Sequence, residues 1–246
     1  PEQIEHAIGM LVAHYIPWRA IRAGKQLSDS KGASAAITTE AAIMCIKRAM
    51  RGFVGPKDIF RNPEAIFRYF EKTNGTSPFD ITLSNEGDDF AVMGMHFKLG
   101  LYEHQSAGAL EGLQKMVYET KFAAEHSIND IENINIVAYE PAFGIIGDPA
   151  KKTPSTRQSA DHSMVYIVST ILRKAFETRD LLSKLQGFKN LDGVWKMLML
   201  EPKDYGHQAL FNKQTRDLMA KCTFTHGGPE YDAKYPEGIP TSISVT

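Results

Sequence analysis

The chain has 246 residues, 43% hydrophobic and 23% charged, which is the make-up of an ordinary globular protein with room for one large domain or two smaller ones. Lys and Arg number 28 against 29 Asp and Glu, so the net charge of -1 draws it to neither nucleic acid nor an anionic membrane, and no apolar run approaches the roughly 20 residues of a spanning helix. The two cysteines, Cys45 and Cys222, are too few for a disulfide scaffold, a four-cysteine zinc site or an iron–sulfur cluster, and their scarcity fits a reducing compartment.

Residues 4 to 16 are apolar on several helical faces and predict a buried helix that stops before Pro17. A polar connection, Arg19 to Ser30, follows. Small residues (Gly32, Ala33, Ser34, Ala35, Ala36, Ala41, Ala42, Ala49) then predict a closely packed helix from Gly32 to Arg51, ended by Gly52 and Gly55-Pro56. Asn62-Pro63 opens a short helix through Phe70, and the turn-rich stretch 73 to 89 leads to a domain transition. Helical spacing returns from Ser106 to His126. Ile134 to Ala138 reads as a strand, Gly147 to Ser159 as a loop, and Asp161 to Phe176, Leu191 to Leu200 and Lys213 to Lys221 as helices. A loop then leads to a last strand ending at Thr246. No secretory signal is visible, and that last strand reads as cut short, so the chain is expected to be a piece of a longer protein. The succession of elements predicts α+β, with residues 1–90 the later part of a helical domain and 91–246 an α+β lid domain.

Three groups of residues suit chemistry. Arg19, Arg22, Lys25 and Lys31, with Ser28, Asp29 and Ser30 among them, could bind carboxylate or phosphate at a helix start, and equally suit a solvated helix cap. Between Gly94 and Ser106 the chain carries His96, Lys98, Tyr102, Glu103 and His104 among apolar neighbours. Such a lysine binds an anion or works as a base, although an amphipathic segment with surface charges has the same pattern. Asp161 beside His162 suggests a relay, but at a helix start Asp161 makes a good cap, and neighbours on a helix point apart. A glycine-rich phosphate loop, a paired-histidine helix and a nucleophile elbow are missing.

Several stretches, in order along the chain, carry a resemblance: Ala20-Ile-Arg-Ala-Gly-Lys25 to Lys31-Gly-Ala-Ser34, Arg51-Gly-Phe-Val-Gly-Pro56, His96-Phe-Lys98 to His104-Gln-Ser106, Asn135-Ile-Val137, Ala160-Asp-His-Ser163 with Tyr166, and Ile243-Ser-Val-Thr246. In them the chain resembles the MmgE/PrpD family, most of all its 2-methylcitrate dehydratases. Family members are longer, with a further N-terminal helical half that carries an Asp and His residues of the active site. Where many have Trp before the Lys-Gly pair, this chain has Ser30, so the loop lysine aligns as Lys25 or Lys31.

The resemblance implies a lyase that eliminates water from 2-methylcitrate, giving 2-methylaconitate in the methylcitrate cycle of propionate catabolism, with citrate or aconitate as further substrates. It implies a cytoplasmic protein (mitochondrial matrix in a eukaryote), a homodimer whose cleft is completed by the N-terminal half, and a small tricarboxylate as partner, without nucleic acid, membrane, metal or cofactor. Such an elimination needs cations for three carboxylates, a base for the carbon acid and an acid for the departing hydroxyl. His104, Lys98 and Tyr102 are the catalytic candidates, and Lys25, Lys31, Ser28 and Arg22 the substrate-binding ones. The alternatives are a cis-aconitate decarboxylase of the same family and a fragment that dimerises without turnover; the 246 residues alone are expected to be inactive and to self-associate.

Overall fold

A computed structural model describes residues 1–16, 21, 26–62, 64, 91–95, 97–180 and 191–246. The short helix expected to Phe70, the turn-rich stretch 73–89, and the candidates Arg19, Arg22, Lys25 and His96 lie outside the described residues. The fold is α+β: helices and a three-stranded sheet. It divides into two compact bodies, the first Pro1–Arg22 with Ser30–Phe97, the second Ala23–Asp29 with Lys98–Thr246.

In the first body, α1 (Glu2–Tyr15) ends at Ile16, whose extended backbone (ψ 118) is what a following proline demands. Helix α2 (Asp29–Met50) closes on Gly52 at φ +88. The Gly52 N–H donates to the Ala49 carbonyl and the Phe53 N–H to the Arg48 carbonyl, both at 3.0 Å, a Schellman end that a left-handed glycine permits. A small core joins Ala7 and Met10 to Cys45 and Ala49. Glycines also make close approaches: a Cβ on Gly9 would lie 1.9 Å from the Pro56 carbonyl oxygen, and one on Gly55 2.3 Å from that of His6. Among the described residues, Ala35 and Ala36 are exposed.

The second body has the larger core. Helix α3 (Ala107–Thr120), strand β1 (Ile134–Ala138), helix α4 (Glu140–Ile146), helix α5 (Met164–Glu177), helix α6 (Asp192–Leu198), helix α7 (Lys213–Ala220) and strands β2 (Cys222–His226) and β3 (Thr241–Val245) follow in order. β1 is central, parallel to β2 (Ile136 opposite Phe224) and antiparallel to β3 (Ile136 opposite Ile243). Ile134, Ile136 and Ala138 alternate inward against Leu110 and Leu113 of α3 and Ile167, Ile171 and Leu172 of α5. Full burial of each large apolar side chain contributes about 1.5–3 kcal/mol, so α5, buried from Met164 to Ala175, is the axis of this body. Strand β2 occupies part of what the sequence suggested was a loop. Its five residues follow α7 with only Lys221 between, and parallel pairing to β1, far away in sequence, fixes them.

The segment 26–27 is bound into this second body. Leu27, 4% exposed, donates its N–H to Ser159 Oγ at 2.6 Å and accepts at its carbonyl from Thr156 Oγ1 at 2.7 Å. Gln26 Oε1 accepts from the Ser155 N–H at 2.8 Å.

Candidate functional site

The segment Lys98–Ser106 folds back on itself at Gly100, whose φ of +104 suits glycine alone; a Cβ there would lie 2.9 Å from Met199 Cγ. The Leu101 N–H donates to the Leu200 carbonyl at 3.3 Å, and the Tyr205 hydroxyl donates to the Leu101 carbonyl. Lys98, exposed, reaches back so that Nζ donates to the Tyr102 carbonyl and stands 4.7 Å from the centre of the Tyr102 ring. An ammonium has three donors, so this anchoring leaves two for an anion. Tyr102 is 7% exposed, its ring edge-on to Trp195 at 5.7 Å, and burial pushes its phenol above the ordinary range. Its carbonyl and ring together seat the Lys98 ammonium.

Glu103 and His104 form the centre of the site. Glu103 caps the helical turn His104–Ser106, its Oε2 accepting from the Gln105 N–H at 2.8 Å, while its own N–H donates to the Asp161 carbonyl at 3.0 Å. Its side chain is 10% exposed. The Oε1 atom lies 2.7 Å from His104 Nδ1, and the His104 side chain is 65% exposed. A carboxylate held on Nδ1 selects the tautomer protonated there, which leaves Nε2 outward as a proton acceptor.

Near this pair, several buried polar atoms have no partner among the described residues. Tyr139, which precedes α4, is fully buried with its hydroxyl unpaired, and its pKa is pushed up to about 12 by burial, by the nearby Glu103 charge and by Tyr235. The Gln105 Oε1 and the Nε1 of Trp195, the residue against Tyr102, are also unpaired. Lys151 is held below the usual lysine range by burial, opposed by Asp148 and Glu103. Buried polar atoms normally find partners; these three, like Gln114 Nε2 on α3, have none among the described residues.

Asp161 does not cap α5. That role falls to Ser163, whose Oγ accepts from the Tyr166 N–H at 3.2 Å. Asp161 ends the short helix Arg157–Ala160, and because 161–162 form a turn rather than helix, the expected divergence of the two side chains does not occur: Asp161 Oδ1 contacts His162 Nδ1 directly. Through the Glu103–Asp161 backbone bond, this second His–carboxylate pair lies beside the first.

Of the sequence candidates, the structure brings Lys98, Tyr102 and His104 into one turn of the second body. Ser28 is exposed and belongs to that body, whereas Lys31 belongs to the first. Glu103 and the Asp161–His162 pair stand in the sequence's candidate groups without a site role, and Tyr139 stands in none of them. The adjacent Glu-His and Asp-His dipeptides were the available signal, and only a turn at each lets neighbours meet. Among the described residues, no group of three or more His, Cys, Asp or Glu could hold a metal, and no helix is long and apolar enough to cross a membrane.

No protein-family model matches this chain, and no curated protein is significantly similar to it.

Proposed function

We propose that this protein is a lyase that eliminates water from 2-methylcitrate, with the Lys98–Gln105 segment of the second body as part of its site. One observation carries the reading: an exposed imidazole backed by a buried, backbone-anchored carboxylate stands in the same turn as an exposed ammonium. The chemistry asks for these two functions together. Lys98 binds a substrate carboxylate, which both orients the molecule and stabilises the charge that develops as the proton next to a carboxylate leaves. His104 Nε2 accepts that proton, and Glu103 stabilises the imidazolium that results. The Asp161–His162 pair supplies a second titratable imidazole, suited to protonating the departing hydroxyl, so that the carbon–hydrogen and carbon–oxygen bonds break and water is released. The family resemblance selects 2-methylcitrate from other hydroxy-tricarboxylates.

The test is an ultraviolet assay for the conjugated product, with 2-methylcitrate, citrate and cis-aconitate compared in the full-length protein. Lys98→Met should lower kcat/KM at least tenfold or so, because a charge-assisted hydrogen bond contributes about 1.5–3 kcal/mol. Wild-type kinetics in a folded Lys98→Met protein remove Lys98 from the site. Release of carbon dioxide from cis-aconitate, without dehydration of 2-methylcitrate, makes the protein a decarboxylase instead.

A further inference from the structure

A cavity of about 250 Å³ lies in the second body between α4, α5 and β2, and no residue of the Lys98–Gln105 segment lines it. Its walls are Phe143 and Ile146 of α4, Val165 of α5, and Cys222 and Phe224 of β2. Phe143 and Phe224 meet edge to face at 5.6 Å, and a Cβ on Gly147 would come within 2.6 Å of the Phe224 ring, so the aromatic wall is fixed by close packing. The Cys222 thiol, 5% exposed, is pushed up to about 11 by burial and stays uncharged near neutrality, so it lines the cavity as an apolar group.

Two charged residues complete the lining. Asp148 turns its carboxylate to its own backbone, Oδ1 accepting from the Ala150 N–H at 2.8 Å. Lys152 is exposed, with no carboxylate in ion-pair range among the described residues, and close enough for its charge to act on the Cys222 thiol. An apolar chamber with one available cation thus stands beside an acid already engaged.

We infer that this cavity binds a small hydrophobic monocarboxylate, its apolar part among Phe143, Val165 and Phe224 and its carboxylate on Lys152. Size supports the assignment: an apolar cavity of about 150 Å³ takes up benzene, and at roughly 30 Å³ per small group this one holds roughly eight heavy atoms. That is the bulk of a six-carbon fatty acid or of a phenyl ring with a short acidic arm, and too little for a drug-sized molecule. The site is independent of the proposed lyase activity, because none of its lining residues belongs to that site.

The probes are hexanoate, hexanamide and hexylamine, followed through the methyl resonances of Val165 and Ile146 in the whole chain. Hexanoate should shift both methyls saturably in the millimolar range, and more tightly than hexanamide by about fivefold, the size expected for an exposed ion pair. Lys152→Met should erase that difference while hexanamide affinity stays constant. Lys98→Met should leave hexanoate binding unchanged. Val165→Phe should abolish binding by filling the chamber, and Val165→Leu should weaken it if the larger replacement prevents folding. Absence of shifts at both methyls, tighter binding of hexylamine than of hexanoate, or a loss of binding in Lys98→Met would each overturn the proposal.

Discussion

Two polar regions of the second body make opposite use of charge. On α5, Arg173 and Lys174 are 9% and 8% exposed, yet each is matched: Lys174 Nζ lies 2.7 Å from Asp204 Oδ2 and donates to the Met199 carbonyl at 2.6 Å, while Arg173 meets Thr215 at 2.9 Å and Glu177 at 2.6 Å. Asp204 Oδ2 also accepts from the Glu201 N–H at 2.9 Å. Around Glu103 and His104, by contrast, the imidazole is exposed, and the Tyr139 hydroxyl, Gln105 Oε1 and Trp195 Nε1 have no partner among the described residues. The first region satisfies its own charges and holds helices together. The second leaves hydrogen-bonding capacity unspent, which is what a ligand site requires.

The largest effect should fall on the matched region. Asp204→Ala strands a buried lysine and should destabilise the protein by about 3–5 kcal/mol in chemical denaturation. His104→Ala, at an exposed position, should change stability by no more than about 0.5 kcal/mol. A comparable loss in both variants would erase the distinction.

Tyrosines sharpen it next. The Tyr166 hydroxyl donates to the Asp204 carbonyl at 2.5 Å, so Tyr166→Phe should cost about 1 kcal/mol or more by stranding a buried carbonyl. Tyr139→Phe removes a hydroxyl without a partner among the described residues and should be neutral or stabilising. Equal destabilisation by the two changes would show that Tyr139 is structural.

A smaller effect concerns Asp232, whose carboxyl is held below the usual range by the Glu140 N–H at 2.8 Å and by His226 at 3.0 Å. A lowered folded-state pKa means stability that is present above the unfolded value, near 3.8, and lost as pH falls through the lowered one. Asp232→Asn should therefore flatten the acid limb of the stability profile below about pH 4 and leave the alkaline limb unchanged; an unchanged acid limb would contradict the clip. At the opposite extreme, Cys222, raised to about 11, should resist thiol reagents at neutral pH in the folded protein and react only on unfolding. Rapid modification of the native protein at Cys222 would show that the β2 wall opens.

How much of this was legible in the sequence follows from the range of the interactions involved. Helices α1, α3, α5 and α7 and strand β1 are set by local periodicity and by stop signals such as Pro17, and the sequence pattern finds them. Strand β2 depends on pairing with a segment more than eighty residues earlier, which no local pattern carries. The same holds at the site. Lys98, Tyr102 and His104 could be picked out by residue type, but the anchoring of Glu103 on the Asp161 carbonyl, and the turn that brings Asp161 onto His162, are tertiary facts. Tyr139 reads in sequence as one more strand-end aromatic; only its burial beside Glu103 without a partner marks it.

The most direct test of the central claim is the rate of water elimination from 2-methylcitrate by full-length protein carrying His104→Gln, which keeps a polar side chain but cannot accept the proton. The account predicts kcat lowered by about 10²–10⁴-fold, as for loss of a general base, with substrate affinity and unfolding midpoint close to wild type. A wild-type kcat in that variant would contradict it, and would place the proton-transfer chemistry away from the Glu103–His104 pair.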